Sequence, residues 1–114
     1  MKKKFTTQTA TGCGTTTCDW RISPKFRFVF GGQNEVFTFI NPEVGGHLQI
    51  ILIQDGAGNR TATLPADILW ADGTEPTLSK SGRARDIVNF FLDDYDGVYY
   101  GMIAHGFATS VKRS

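Results

Sequence analysis

Residues 45–70 read GGHLQIILIQDGAGNRTATLPADILW, two apolar runs on either side of a Gly-rich connection. That combination predicts a β-hairpin. In the first run, His47 to Gln54, Leu48, Ile50 and Leu52 fall on one face and Ile51 and Ile53 on the other. A strand apolar on both faces belongs inside a sandwich or against another subunit, which makes Leu48, Ile51 and Ile53 candidate subunit-interface residues. The return run, Arg60 to Leu64, is Thr-rich and stops at Pro65, which has no N–H for a ladder. Asp55 and Arg60 bracket Gly56-Ala57-Gly58-Asn59, so a carboxylate–guanidinium pair at the hairpin neck is expected to pin the register.

Upstream, Phe26, Phe28 and Phe30 share one face, with Arg27 and Val29 opposite. Gly31-Gly32-Gln33-Asn34 then turns the chain, and Phe37 and Phe39 oppose Val36, Thr38 and Ile40. The spacing predicts a second hairpin. Its Phe cluster belongs to the core, because a period of two is that of a half-buried strand. Downstream, Ala66 to Trp70 is a short apolar piece, Ala71-Asp72-Gly73 a turn and Lys80 to Arg85 a loop. Asp86 to Leu92 and Val98 to Ala104 read as strands around the turn Asp93 to Gly97. No helix is predicted. Seven or eight short strands with regular turns point to an all-β fold, a single antiparallel β-sandwich or jelly-roll-like domain over residues 25–114.

Residues 1–24 lack apolar periodicity and read as an extended N-terminal arm, either a flexible terminus or one that orders against a partner with Phe5, Trp20 and Ile22 as anchors. The full chain of 114 residues corresponds to one domain with enough length for a core. Twelve basic and eleven acidic residues leave a net charge of +1, so bulk charge does not direct the protein to nucleic acid or anionic membrane. No run of about 18 apolar residues is present, so no membrane span is expected. Lys2-Lys3-Lys4 is followed by polar Phe5-Thr6-Thr7-Gln8-Thr9, where a secretory signal would be apolar.

A search for chemistry ends without a catalytic constellation. Cys13 and Cys18 in CGTTTC are either two thiols or one local disulfide. Only His47 and His105 are left to complete a zinc site, neither at a ligand spacing. Neither His has a recognisable nucleophile or acid partner. Asp93-Asp94-Tyr95-Asp96-Gly97 lacks the closing Glu of a calcium loop and reads as a solvated turn. Gly12-Cys13-Gly14 and Gly56-Ala57-Gly58 do not open helices, so neither is a phosphate loop. The aromatic–basic interleaving of a single-strand nucleic-acid binder is missing. No enzyme, metal or cofactor is expected.

The run Gln54-Asp55-Gly56-Ala57-Gly58-Asn59-Arg60-Thr61-Ala62-Thr63-Leu64-Pro65 resembles a segment common in tailed-bacteriophage structural proteins. The likeness continues through Ile68-Leu69-Trp70, Asp72-Gly73-Thr74, Pro76-Thr77-Leu78, Asp86-Ile87-Val88, Phe90, Tyr99-Tyr100-Gly101 and Phe107-Ala108. It spans about Lys25 to Ala108, and departs at Arg83 and Arg85, where small residues are usual. The resemblance implies a virion component made in the host cytoplasm, with a structural or binding role and trimeric assembly. A β domain with a polar arm, without a long fibre region ahead of it, fits a capsid decoration (cement) protein. Its partners would be copies of itself and the major capsid protein or other virion proteins. The alternative is a tail fibre or tail-tip protein that binds a host-surface receptor or glycan through Trp20, Tyr95, Tyr99 or loop carboxylates.

Overall fold

The computed structural model describes residues 6–9, 14–41, 46–93, 95 and 97–107. These form nine strands: β1 (Thr6–Thr9), β2 (Thr15–Asp19), β3 (Lys25–Val29), β4 (Glu35–Ile40), β5 (Gly46–Ile53), β6 (Ala62–Thr63), β7 (Leu69–Trp70), β8 (Arg85–Leu92) and β9 (Tyr99–Phe107). A single 3-10 turn, Ala71–Gly73, is the one helical element among the described residues. The fold is all-β, as the alternation of Phe and aliphatic residues predicts.

Two sheets pack on each other. The larger runs β1-β3-β5-β8-β9-β7 and the smaller β2-β4-β6. The chain therefore shuttles between sheets, β1 to β2, β3 to β4 and β5 to β6, and each winding stacks on the previous one. Thr6 lies beside Phe26, and Lys25 beside Gln49, in the large sheet. Thr15 lies beside Val36, and Glu35 beside Ala62, in the small one.

This arrangement corrects the antiparallel expectation. β1–β3, β3–β5, β2–β4, β4–β6 and β7–β9 are parallel; only β5–β8 and β8–β9 are antiparallel. A jelly roll is built from antiparallel neighbours, so that connectivity does not describe these pairings. Both expected hairpins are arches instead. The loop after β3 and the loop after β5 carry the chain across the core to the opposite sheet. The reason is geometric: alternation marks which side chains point inward, and it is the same whether the next strand lies beside its predecessor or across from it.

The inward faces are as the pattern predicts. Phe26, Phe28 and Phe30, Leu48, Ile50 and Leu52, and Val88, Phe90 and Leu92 are buried, facing Cys18, Trp20, Phe37 and Leu64. Each such side chain contributes roughly 1.5–3 kcal/mol by leaving water. The aromatic rings interlock across the two sheets. Phe37 meets Phe28 edge-on at 4.9 Å and Phe39 meets Phe90 at 5.2 Å across the core, while Phe39 meets Trp20 at 5.1 Å on the small sheet's own side. Pairs of this geometry add about 0.5–1.5 kcal/mol beyond the area they bury.

At the end of β7, Trp70 lies over β9 at Gly101. A Cβ there would sit 2.6 Å from the indole ring and 2.9 Å from Ile68. Only a glycine lets this ring reach the sheet.

Residues 15–20 of the expected arm are built into the sandwich. β2 pairs with β4 along its whole length, and the Trp20 N–H donates to the Ile40 carbonyl at 3.0 Å. Trp20 is 1% exposed. Its indole fills the core and cannot anchor a partner, which corrects that assignment. Polar Thr15 and Thr17 point out while Thr16 and Cys18 point in, a contrast too weak to read as amphipathic.

Candidate interaction surface and basic cavity

The outward face of the large sheet is read in rows across the strands. His47, Phe91, Tyr100 and Leu69 stand side by side in β5, β8, β9 and β7. Next to them come Gln49, Asn89 and Met102, then Ile51, Ile87 and Ala104. Phe91 is 56% exposed, Leu69 55%, Met102 53% and Tyr100 40%. Four large apolar side chains from three adjacent strands thus face solvent together. Water-facing groups of this kind mark interaction surfaces when contiguous, and aromatics and Met are enriched in protein interfaces.

Of the expected interface residues, Leu48 points into the molecule's own core and is corrected. It shares that face with Ile50 and Leu52. Ile53 is also buried, beneath the end of the outer face, whereas Ile51 is half-buried on it. Ile22 is exposed beside Asp19, whose carbonyl accepts its N–H at 2.9 Å. Phe5 and Cys13 lie outside the described residues. Of the expected ligand aromatics, Tyr95 is exposed, but Trp20 and Tyr99 are buried, which corrects their proposed role. Burial pushes the Tyr99 hydroxyl pKa up, and the charge of Asp67 adds to the rise.

Asp55 and Arg60 do meet, at the neck of the arch after β5. Arg60 Nε donates to Asp55 Oδ1 at 3.3 Å and Oδ2 at 3.2 Å, and Nη2 to Oδ2 at 3.0 Å. The guanidinium holds the Asp55 carboxyl below its usual range; burial opposes this in part, and the Gly58 N–H adds to the lowering.

Around this pair the arch is clamped to the loop before β8. The Asp55 carbonyl accepts the Arg83 N–H at 2.9 Å, and the Asn59 N–H donates to the Lys80 carbonyl at 2.8 Å. The approach is close enough that a Cβ on Gly58 would run into the Lys80 carbonyl, and one on Gly82 into that of Gly56.

Three buried polar residues went unread in the sequence. Gln54 donates through Nε2 to the carbonyls of Arg60 (2.8 Å) and Ser79 (3.0 Å), and accepts the Arg60 N–H at 2.9 Å. Asp86 accepts the N–H groups of Ser79 at 2.7 Å and Gly106 at 2.8 Å, tying the segment before β8 and the end of β9 to one carboxylate. Glu35 is buried on the inner face of β4, where the Thr16 hydroxyl donates to Oε2. Each makes at least one bond to a segment far along the chain (Ser79, Gly106 and Thr16 respectively), which no local pattern signals.

A cavity of about 500 Å³ opens beside the clamp, lined by Arg27, Val29, Ile53, Gln54, Asp55, Gly56, Arg83 and Arg85. Arg83 adopts a left-handed backbone, φ 63°, which disfavours any side chain with a Cβ by about 1–2 kcal/mol.

Neither histidine lines the cavity, and His47 stands in the exposed row beside Phe91. His105 Nε2 lies 2.8 Å from the Thr77 carbonyl and donates to it, and His47 Nε2 lies 3.2 Å from Asn89 Oδ1. In the turn after β8, Asp93 Oδ1 accepts the Tyr95 N–H at 2.9 Å. Among the described residues no group of three or more His, Cys, Asp or Glu is placed to hold a metal ion. No family of known sequence pattern, no curated protein and no solved structure matches this chain.

Proposed function

We propose that the chain is a non-enzymatic structural protein of a tailed-phage virion, a capsid decoration protein that assembles as homotrimers on the shell. The observation that carries this reading is the exposed row Phe91, Tyr100 and Leu69 with Met102 beside it. A second copy is the occupant such a row suits. Contacts of modest strength become persistent when three linked copies engage a shell together. Ile22, exposed in the turn after β2, remains available to the major capsid protein. The sequence resemblance over Lys25 to Ala108 supports a virion setting.

The tail-tip alternative is less favoured, because burial of Trp20 and Tyr99 leaves Tyr95 alone among its proposed ligand aromatics.

Sedimentation equilibrium of the full chain and of Phe91→Lys, with and without emptied capsid shells, tests the proposal. Trimers that bind shells, and that weaken at least about tenfold with one charge placed in the apolar patch, are the expected result. A monomer at every concentration that leaves shells bare would overturn it. Hundreds of copies per particle separate a shell location from the handful at a tail tip.

A further inference from the structure

We propose that the cavity bounded by Arg27, Arg83 and Arg85 is a binding site for a phosphate monoester. The inference is independent of the capsid reading. At about 500 Å³ the cavity has the size of a small-molecule site. Among its lining residues the one carboxylate, Asp55, is already engaged by Arg60 outside the set. Arg27, Arg83 and Arg85 form no ion pair with any described residue, the pairs being Arg60–Asp55 and Arg21–Asp19. Three arginines of one sign thus line one space in a chain whose net charge is +1.

The fold itself does not use these charges. Arg83 is exposed and sits in the left-handed region, directly after Gly82. Glycine would occupy that conformation without strain, so what the position gains is the guanidinium. Its backbone N–H, which clamps the arch through Asp55, would be supplied equally well by any residue.

The chemistry of the lining selects the ligand. Guanidinium forks match the oxygens of phosphate groups, and a phosphate ester offers a dianion with three terminal oxygens, where a carboxylate offers one charge and two oxygens. Val29 and Ile53 give the carbon side of an ester an apolar wall. None of the lining residues is aromatic, which removes the stacking platform that single-stranded nucleic acid needs.

The test is a two-dimensional amide NMR titration of the full chain with phenyl phosphate, benzoate and a ten-nucleotide oligothymidine. Saturable shifts confined to residues 27–29, 53–56 and 83–85 with phenyl phosphate are expected, together with at least about tenfold weaker binding by Arg83→Gly and Arg85→Ala, the loss of one charge-assisted pair. Arg83→Gly should melt no lower than the parent, because it relieves the backbone while removing the charge. Should it fail to fold, Arg27→Gln and Arg85→Ala carry the test. Absence of saturable shifts, undiminished binding in the Arg variants, benzoate binding as tight as phenyl phosphate, or tighter binding of the oligonucleotide would each overturn the proposal.

Discussion

The side chain of Gln54 pairs with the backbone of Arg60 in both directions: Oε1 accepts the Arg60 N–H at 2.9 Å while Nε2 donates to the Arg60 carbonyl at 2.8 Å. The same Nε2 reaches the Ser79 carbonyl. One buried amide thus takes the place of a missing strand neighbour and joins the arch to the loop before β8. Gln54→Leu keeps the volume and strands all three backbone groups. A loss of about 2–4 kcal/mol is expected in urea denaturation, since each buried group left unpaired costs about 1–3 kcal/mol and some regain water. A loss below about 0.5 kcal/mol would show that the amide is not holding the arch.

Gly101 sets how close Trp70 approaches β9. Gly101→Ala places a methyl 2.6 Å from the ring, so the indole must move. Overpacking of this kind destabilises by about 1–3 kcal/mol, and Trp70 fluorescence should shift with it. Unchanged emission and midpoint would place the ring elsewhere.

The Asp55–Arg60 pair gives a pH dependence of known sign. The folded-state pKa of Asp55 lies below the value an Asp has in the unfolded chain, about 3.9. Its stabilising contribution is therefore complete above that value and lost as pH falls through the folded one. At about pH 7 the Asp55→Asn variant should melt below the parent, and the gap should close as pH drops below about 4. Asp19, lowered chiefly by the Arg21 backbone N–H, titrates alike in both proteins, so the difference isolates Asp55. A gap that stays constant down to about pH 2 would contradict this assignment.

Burial pushes the Cys18 thiol up to about 12. In a Cys13→Ser background its alkylation by iodoacetamide at about pH 8 should be roughly a thousandfold slower than in denaturant, because so little thiolate forms. Reaction at the unfolded rate in native buffer would mean that β2 opens freely.

Some of this molecule is visible in its letters. Phe26, Phe28 and Phe30 and Leu48, Ile50 and Leu52 declare their inward face by alternation, and Asp55 and Arg60 find each other because they are close in sequence. Strand partnership is different. β5 and β6 read as a hairpin, yet they lie in opposite sheets, because the inward set is the same in either case. The repeated winding is equally silent: Thr-rich β1 and β2 stack beside Phe-rich β3 and β4, and Thr17 beside Thr38 is the one identical pair. Gln54, Asp86 and the three arginines of the cavity are invisible for a related reason, since what gives them meaning is brought together only by the tertiary fold.

The order of the large sheet has a bearing on how the chain is made. Its one short-range pairing is β8 with β9, across the turn at 93–98; β5 leans on β8, β3 on β5 and β1 on β3. Distant parallel pairing is slow to form, so structure should propagate from the β8–β9 ribbon back toward β1. A ribosome releasing this polypeptide therefore holds β1 to β4 without their template until β8 and β9 emerge. Nascent chains arrested at Leu92 should be digested by protease wherever the finished protein resists.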